Sequence, residues 1–465
     1  MNVLIIGGGL TGLAAALFLA RRDHTATILE RDAAPPPDDP QAAFDEWDRR
    51  GVAQRRQSHN FLARSSKVLD AEAPDVKAAL LNAGAYARPA RWRDIALEDP
   101  NLIVLCARRL MYEAVFRQIV AAEPNVEIRC GVHVDRLVAQ SDGIVPHVTG
   151  IRARDGMELH ADFVVDASGR HSQAPKWLAD IGARAIPEKL QECGFFYLTR
   201  WYHLHDGETF PDALPPVVAN LEYLNAMVFA GDSGFYSFTT IMSVRDPLRH
   251  AIRDPRAFDR VLGEIPLLEP WLARGTPVSE AEPLTRIDNR YRKLVDADGP
   301  VVTGFALLGD SSVHTNPTNG RGVSLGFAHA QHLAETVDRA RADPVQYATD
   351  FARWTSTNIG VWYNSQVAND AAAIARLEAS LDGRELPQPS DPTARYTRAL
   401  MDLTATDPEV GAAFARVAHL LITPAELVRD ASVNRKVMAY LATDPDFAQP
   451  RSAGPKRAEF EALVA

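Results

Sequence analysis

Three glycines, Gly7, Gly9 and Gly12, stand in the spacing G-x-G-x-x-G. They lie between the apolar run VLII at residues 3–6 and a segment whose Leu10, Leu13, Ala14, Leu17 and Phe18 recur at helical intervals. Strand, turn and helix in that order form a phosphate cradle. Gly7 permits the tight turn, Gly9 lets a pyrophosphate approach the backbone, and Gly12 lets the helix pack closely on the strand. The positive end of the helix then meets the phosphate. Eighteen residues after Gly12, Glu30 closes a second apolar strand at residues 26–29, where a carboxylate accepts hydrogen bonds from an adenosine ribose. The glycines alone would be only a glycine turn. Strand, helix, second strand and acid together predict a dinucleotide site.

A second group lies far along the chain. FALLGD, residues 305–310, carries Asp310 to the end of an apolar strand, and Asn316-Pro317 followed by Gly320-Arg321-Gly322 opens a helix. A carboxylate there can hold the hydroxyls of a ribitol, and the helix amides can stabilise charge developing on a flavin ring. Taken alone, the segment fits equally a turn capped by Asp310 and a loop shaped by glycines. The N-terminal cradle favours the flavin. Between the two groups, FVVDASG at residues 163–169 returns a strand to another glycine turn. His314 fits a contact with a ring or substrate, and equally a loop histidine satisfied by local carbonyls. For His59, beside Arg55 and Arg56, a cofactor or substrate-entrance contact competes with a solvated helix start.

These residues need elements to position them. Residues 33–56 combine a Pro-Asp cluster with alternating charge and read as an irregular excursion whose basic end can reach a phosphate. Helical spacing predicts one or two helices over 61–85, a polar link with Trp92, and a helix over 108–122. Short strands follow at 126–129, 132–138 and 148–152. Residues 183–296 change character: alternating and aromatic stretches at 194–203, 227–229 and 235–242 predict a largely antiparallel sheet, with a helix near 257–262. Its aromatics, Phe195, Phe196, Tyr197, Trp201, Tyr202, Phe235, Tyr236 and Phe238, read first as core, with some left to line a substrate cavity. Helical patterns dominate from 344 onward, broken near 386–392.

The 465 residues exceed one typical domain and allow a large buried ligand. Fifty Lys and Arg against 60 Asp and Glu leave a net charge of -10 with no basic block, which argues against nucleic acid. Cys106, Cys130 and Cys193 lack C-x-x-C spacing, so neither a metal site nor a disulfide framework is expected, and a reducing cytoplasm fits. No run has the length of a transmembrane helix, and the apolar opening lacks a leader pattern. A nucleophile elbow is also missing, which leaves hydrolase and metalloenzyme readings unsupported.

GGGLTG with Glu30, DASGRHS at 166–172 and LLGDSSVHTNPTNGRG together resemble the flavoprotein monooxygenases of the para-hydroxybenzoate hydroxylase fold, over roughly residues 1–340. GVAQRRQSHNFL and VVDASGRHSQAPKWL look most like bacterial biosynthetic oxygenases, including polyether epoxidases. The resemblance implies an α/β fold: a Rossmann-type FAD-binding domain built from 1–70, 103–182 and 297–340, an antiparallel-sheet substrate domain from 71–102 and 183–296, and a helical region over 341–465. It implies FAD contacts at Gly7, Gly9, Gly12, Glu30, Arg109 and Asp310, extended here to Leu10, Thr11, Arg31, Asp166, Ser168, Gly320 and Gly322. No catalytic group is singled out, and the candidates are His314, Asn316 and Pro317. The implied activity is insertion of one oxygen atom of O2 into an apolar or aromatic small molecule of secondary metabolism, by way of a flavin C4a-hydroperoxide. Hydroxylases that take NADPH directly usually carry Asp-Gly in the middle turn. Ser168-Gly169 here leaves NAD(P)H acting either directly or through a flavin reductase. The halogenase pattern W-x-W-x-I-P is absent. An FAD-dependent reductase or dehydrogenase of an isoprenoid-like substrate, and a non-catalytic flavin-binding protein, are the competing readings.

Overall fold

The computed structural model describes all residues except 93–94, 97–101, 141–142, 144, 212–216, 386–387, 390 and 448–451, and the side chains of 91–92 and 95–96. The predicted link around Trp92 therefore lies outside the described side chains. In chain order the elements that matter here are β1 (Asn2–Ile6), α1 (Leu10–Ala20), β2 (Thr25–Glu30), α2 (Arg109–Ala122), β3 (Val126–Cys130), β4 (Phe163–Asp166), β5 (Phe195–Leu204), β6 (Phe235–Ser243), β7 (Phe305–Leu307), α3 (Gly322–Thr336) and α4 (Val361–Leu381).

Five parallel strands form the cofactor sheet in the order β7-β4-β1-β2-β3. A parallel sheet is covered on both faces, so β1 and β4 read as unbroken apolar runs rather than alternating ones. Helix α1 is buried at almost every position. Its alanines allow close packing against the sheet, and α2 and α3 lie against it. An antiparallel trio, Val134–Gln140, His147–Ala153 and Glu158–His160, fills the crossover before β4.

The aromatic segment forms a six-stranded antiparallel sheet in which β5 and β6 pair along their length. Alternation divides its side chains. Phe196, Leu198, Tyr202, Tyr236 and Phe238 join one core with Phe258 and Trp271, while Phe195 and Tyr197 pack on the other face with Ile241, Ile287 and Leu377. The helix expected near 257–262 spans Pro255–Gly263 and is capped by Asp254, whose carboxylate accepts the Arg256 and Ala257 amides at 3.0 and 2.9 Å. One buried ion pair joins this sheet to the cofactor unit: Arg108, immediately before α2, donates from Nη2 to Asp232 at 2.8 Å, and its guanidinium lies 3.6 Å from the Phe235 ring centre.

One expected boundary differs from the packing seen. Residues 63–82 form two helices, Ala63–Glu72 and Pro74–Asn82, and Val68, Leu69, Ala73, Val76, Leu80 and Ala85 belong to the core built on β1 and α1. Residues 71–85 thus belong with the cofactor unit rather than the sheet. Their apolar stripe finds its partner on α2 and α3, which the local pattern does not reveal. The helical region over 341–465 packs on the sheet. Leu377 of α4 packs under β5, and Phe460 of the helix Arg457–Val464 stacks on Tyr223 at 4.8 Å.

Candidate functional site: a dinucleotide cleft

The carboxyl ends of β1, β2, β4 and β7 open onto one cleft of about 350 Å³, the place where doubly wound sheets bind nucleotides. Gly7, Gly9, Leu10, Thr11, Glu30, Arg31, Arg109, Ser168, Asp310, His314, Pro317, Gly320 and Gly322 all line it. Local geometry explains the first turn. Gly7 has φ +105°, and a Cβ there would sit 2.7 Å from the Ala167 carbonyl oxygen. A Cβ on Gly12 would come within 2.0 Å of the Gly7 carbonyl oxygen, so this glycine serves helix packing and does not itself line the cleft. At Gly9 a Cβ would meet no protein atom within 4 Å. The space beside Gly9 is therefore left for a ligand. Both α1 and α3 start without a side-chain cap or an acid in the first turn, so their N-terminal amides are free for an anion.

At one end of the cleft, Glu30 is buried. Its carboxylate accepts the Gly8 amide at 2.9 Å and the Asp32 amide at 2.8 Å, and lies 3.1 Å from Arg49. Arg49 also reaches Asp32 at 2.7 Å and Glu113 at 2.7 Å. Arg109 donates to the other Glu113 oxygen at 3.1 Å, and its buried Nε has no hydrogen-bond partner among the described residues. Burial would raise the Glu113 carboxyl, but Arg49, Arg109 and Arg117 prevail and hold it below the usual range. An orphaned guanidinium nitrogen, two uncapped helix ends and the open space at Gly9 fit a pyrophosphate. The residues present thus match a bound FAD.

At the other end, Asp310 lies 3.3 Å from the His314 ring. Burial raises the Asp310 carboxyl, yet His314 and the charges of Arg109 and Arg170 outweigh it and leave it low. His314 turns Nδ1 toward Asp310, and its Nε2 has no hydrogen-bond partner among the described residues. Gly320 takes φ +62° to end the turn Pro317–Asn319 ahead of α3. His59 borders the same space, with Nδ1 2.8 Å from the Gln57 carbonyl; burial and the Arg109 charge push it down to about 3, so it is neutral at working pH.

Asp166 and Asn316 do not border the cleft. Asp166 is buried within its own turn, accepting the Ser168 amide at 2.8 Å, the Ser311 hydroxyl at 3.2 Å and the Ser172 hydroxyl. It shapes the loop that carries Ser168. Asn316 is clamped internally, donating to Asp370 of α4 at 2.8 Å and accepting from the Tyr197 hydroxyl at 2.5 Å. Both side chains are held internally for one reason: a loop that must present backbone to a ligand needs its own polar groups tied behind it. The aromatics of the sheet do not border the cleft either. Gln57, Ser58, Leu284 and Ile287 do. The Ser58 hydroxyl lies 2.7 Å from those of Ser237 and Thr239, and the Thr199 hydroxyl donates to Gln57 at 2.8 Å, so residues 57–58 lie between cleft and sheet. Arg49, Glu113, Gln57, Ser58 and Arg321 went unpredicted as site residues. Arg321 lay within the Gly320–Gly322 turn and Gln57 and Ser58 within GVAQRRQSHNFL; for Arg49 the signal was the basic end of the excursion, where Arg49 meets carboxylates while Arg56 meets Glu282 at 3.3 Å. Among the described residues no group of His, Cys, Asp and Glu is arranged to hold a metal, and no helix is long and apolar enough to cross a membrane.

Comparison with known proteins agrees with this geometry. Residues 1–179 match the family described as FAD binding domain. With the mixed architecture, this gives the chain an FAD-binding domain within a fold shared with flavoenzymes of the para-hydroxybenzoate hydroxylase type. Protein Rv3254 of Mycobacterium tuberculosis is 25% identical over 452 residues, covering 90% of this chain and 90% of its own. PqsL, a probable FAD-dependent monooxygenase from Pseudomonas aeruginosa, superposes with a TM-score of 0.59 at 17% identity, over 82% of this chain and 96% of that one. The myxobacterial chondrochloren halogenase CndH does so with a TM-score of 0.60 at 17% identity, over 100% of this chain and 95% of that one.

Proposed function

We propose that the chain is an FAD-dependent monooxygenase that hydroxylates or epoxidises an apolar or aromatic small molecule of secondary metabolism. NAD(P)H would supply electrons, directly or through a separate flavin reductase. The observation that carries this reading is the cleft itself: a dinucleotide cradle whose flavin end is bounded by the apolar Leu284 and Ile287 and by the Gln57–Ser58 segment, with an antiparallel sheet behind. Reduced FAD bound there would supply the oxygen-activating chemistry. The chain's part is placement. Glu30 would accept from the ribose, Arg109 would neutralise phosphate, Asp310 would hold the ribitol, and the amides at the start of α3 would stabilise negative charge on the ring. The apolar wall of Leu284 and Ile287 would keep water from the reacting face, and selectivity follows from how the substrate carbon is held. His314 and Pro317 remain the candidates nearest the ring, and no acid–base residue is required.

Incubation with substrate, a source of reduced FAD and labelled O2 tests the proposal: one labelled atom is expected in the product. A product that gains or loses only hydrogen would replace oxygenation by the reductase or dehydrogenase reading. Flavin that no nicotinamide or reductase reduces would favour a non-catalytic flavoprotein. Efficient reduction by NADPH alone would remove the need for a separate reductase and leave oxygenation intact.

A further inference from the structure

Glu30, Arg49, Glu113 and Arg109 form one buried line of alternating charge, with relative exposures of 4%, 1%, 0% and 7%. The line runs from the ribose end of the cleft to the phosphate end. Glu113 divides its carboxylate: one oxygen takes Arg49 Nε at 2.8 Å and Nη2 at 2.7 Å, while the other takes Arg109 Nη2 at 3.1 Å. Arg49 divides its fork in turn. Nη1 lies 3.1 Å from Glu30 and 2.7 Å from Asp32, and Nη2 donates to the Gly8 carbonyl at 3.3 Å. One guanidinium thus touches the acid that takes the ribose, the backbone of the glycine turn, and the carboxylate that restrains the phosphate-end arginine.

We propose that Arg49 is a positioning residue for FAD, setting the orientation of Glu30 and, through Glu113, of Arg109. The inference rests on FAD occupying this cleft and is independent of which reaction follows. Its chemistry is specific to a planar fork. A lysine at this position offers a point charge that cannot serve Glu30, Asp32 and Glu113 together. Without the fork, Glu113 is left buried with Arg109 as its nearest strong partner, which draws Arg109 onto Glu113 and away from phosphate. At the same time Glu30 loses the cation that fixes its free lone pairs toward the cleft. Asp32, which does not border the cleft, acts only as an anchor for Arg49 and for the Gly51 amide, which it accepts at 3.0 Å. The irregular excursion after β2 thereby delivers Arg49 to the back of the cradle.

The test compares FAD dissociation constants of apoprotein by flavin fluorescence, alongside melting of each apoprotein. Arg49→Lys should weaken FAD at least ten-fold. Combining it with Glu30→Gln should weaken binding no more than the worse single variant, because both changes remove one arrangement. Asp32→Asn, a milder change outside the cleft, should weaken FAD several-fold with an apoprotein melt close to wild type, a split that a merely structural role would not produce. ADP, which carries the ribose and pyrophosphate, should lose affinity in parallel, whereas riboflavin should not. Wild-type FAD affinity in Asp32→Asn, or multiplying losses in the double variant, would overturn the proposal even if Arg49→Lys fails to fold. If wild-type apoprotein itself takes up no FAD, the cofactor assignment has failed instead.

Discussion

Gly9 separates binding from folding at the scale of one residue. Its Cβ position meets no described protein atom within 4 Å, so the side chain added by Gly9→Val starts in the space left for a ligand. The variant should melt close to wild-type apoprotein and yet retain little flavin through purification, read from the absorbance ratio of flavin to protein. Normal flavin content would mean that the phosphate lies elsewhere. Gly12 is the opposite case, because any Cβ there strikes the Gly7 carbonyl, and its loss should disturb folding and flavin together. Single residues were also where the sequence was least legible. The spacing of Gly7, Gly9 and Gly12 names its own purpose because their interplay is local. Arg49 and Glu113 are 64 positions apart, and nothing in either neighbourhood announces the other. Asp166 and Asn316 show a related limit: each sits in a loop beside the cleft, but its side chain is bonded internally, which spacing does not announce.

Elements were easier to read than their partners. Strand, turn and helix at the N-terminus, the helix over Arg109–Ala122 and the antiparallel character of the aromatic segment follow from periodicity alone. Which core a helix joins does not, because an apolar stripe over 68–85 fits either neighbour equally. Helix α3 shows what such packing adds to function. His329 is fully buried on it, its ring stacked on Phe351 at 5.3 Å, accepting the Gly309 amide at 3.4 Å on one nitrogen and lying 2.9 Å from the Thr355 hydroxyl on the other. Burial, with a smaller contribution from His332, pushes it down to about 3. The folded protein therefore holds a neutral ring where the unfolded chain takes up a proton below about pH 6.5. The stability this gives is complete above pH 6.5 and falls as pH drops toward 3, with a slope approaching about 1.4 kcal/mol per pH unit. His329→Asn should flatten the pH dependence of unfolding in that window by about one proton. Identical slopes for the two proteins would show that the ring is not neutral in the folded state. Because Gly309 precedes Asp310, acid should also release flavin before the protein unfolds.

Across the whole molecule, the cofactor sheet is not continuous in the chain. β4 ends at Asp166, and the strand that pairs with its free edge, β7, begins at Phe305, after the entire antiparallel sheet has been inserted. Asp310 and the start of α3 follow later still. On the ribosome the two halves of the flavin's seat therefore emerge far apart in time, and the first half must wait with an unpaired parallel edge while more than one hundred residues are made. The nascent chain is thus committed to a period of incompleteness that a contiguous nucleotide domain avoids, in which edge pairing with other chains competes with completion. Ribosome-stalled chains should acquire protease-resistant flavin binding only once α3 has cleared the exit tunnel. Binding by chains stalled before β7 would show that the first half closes unaided. Cofactor loading is then the closing act of synthesis, and a cell short of FAD would feel the shortage as misassembly of new chains before it felt it as idle enzyme.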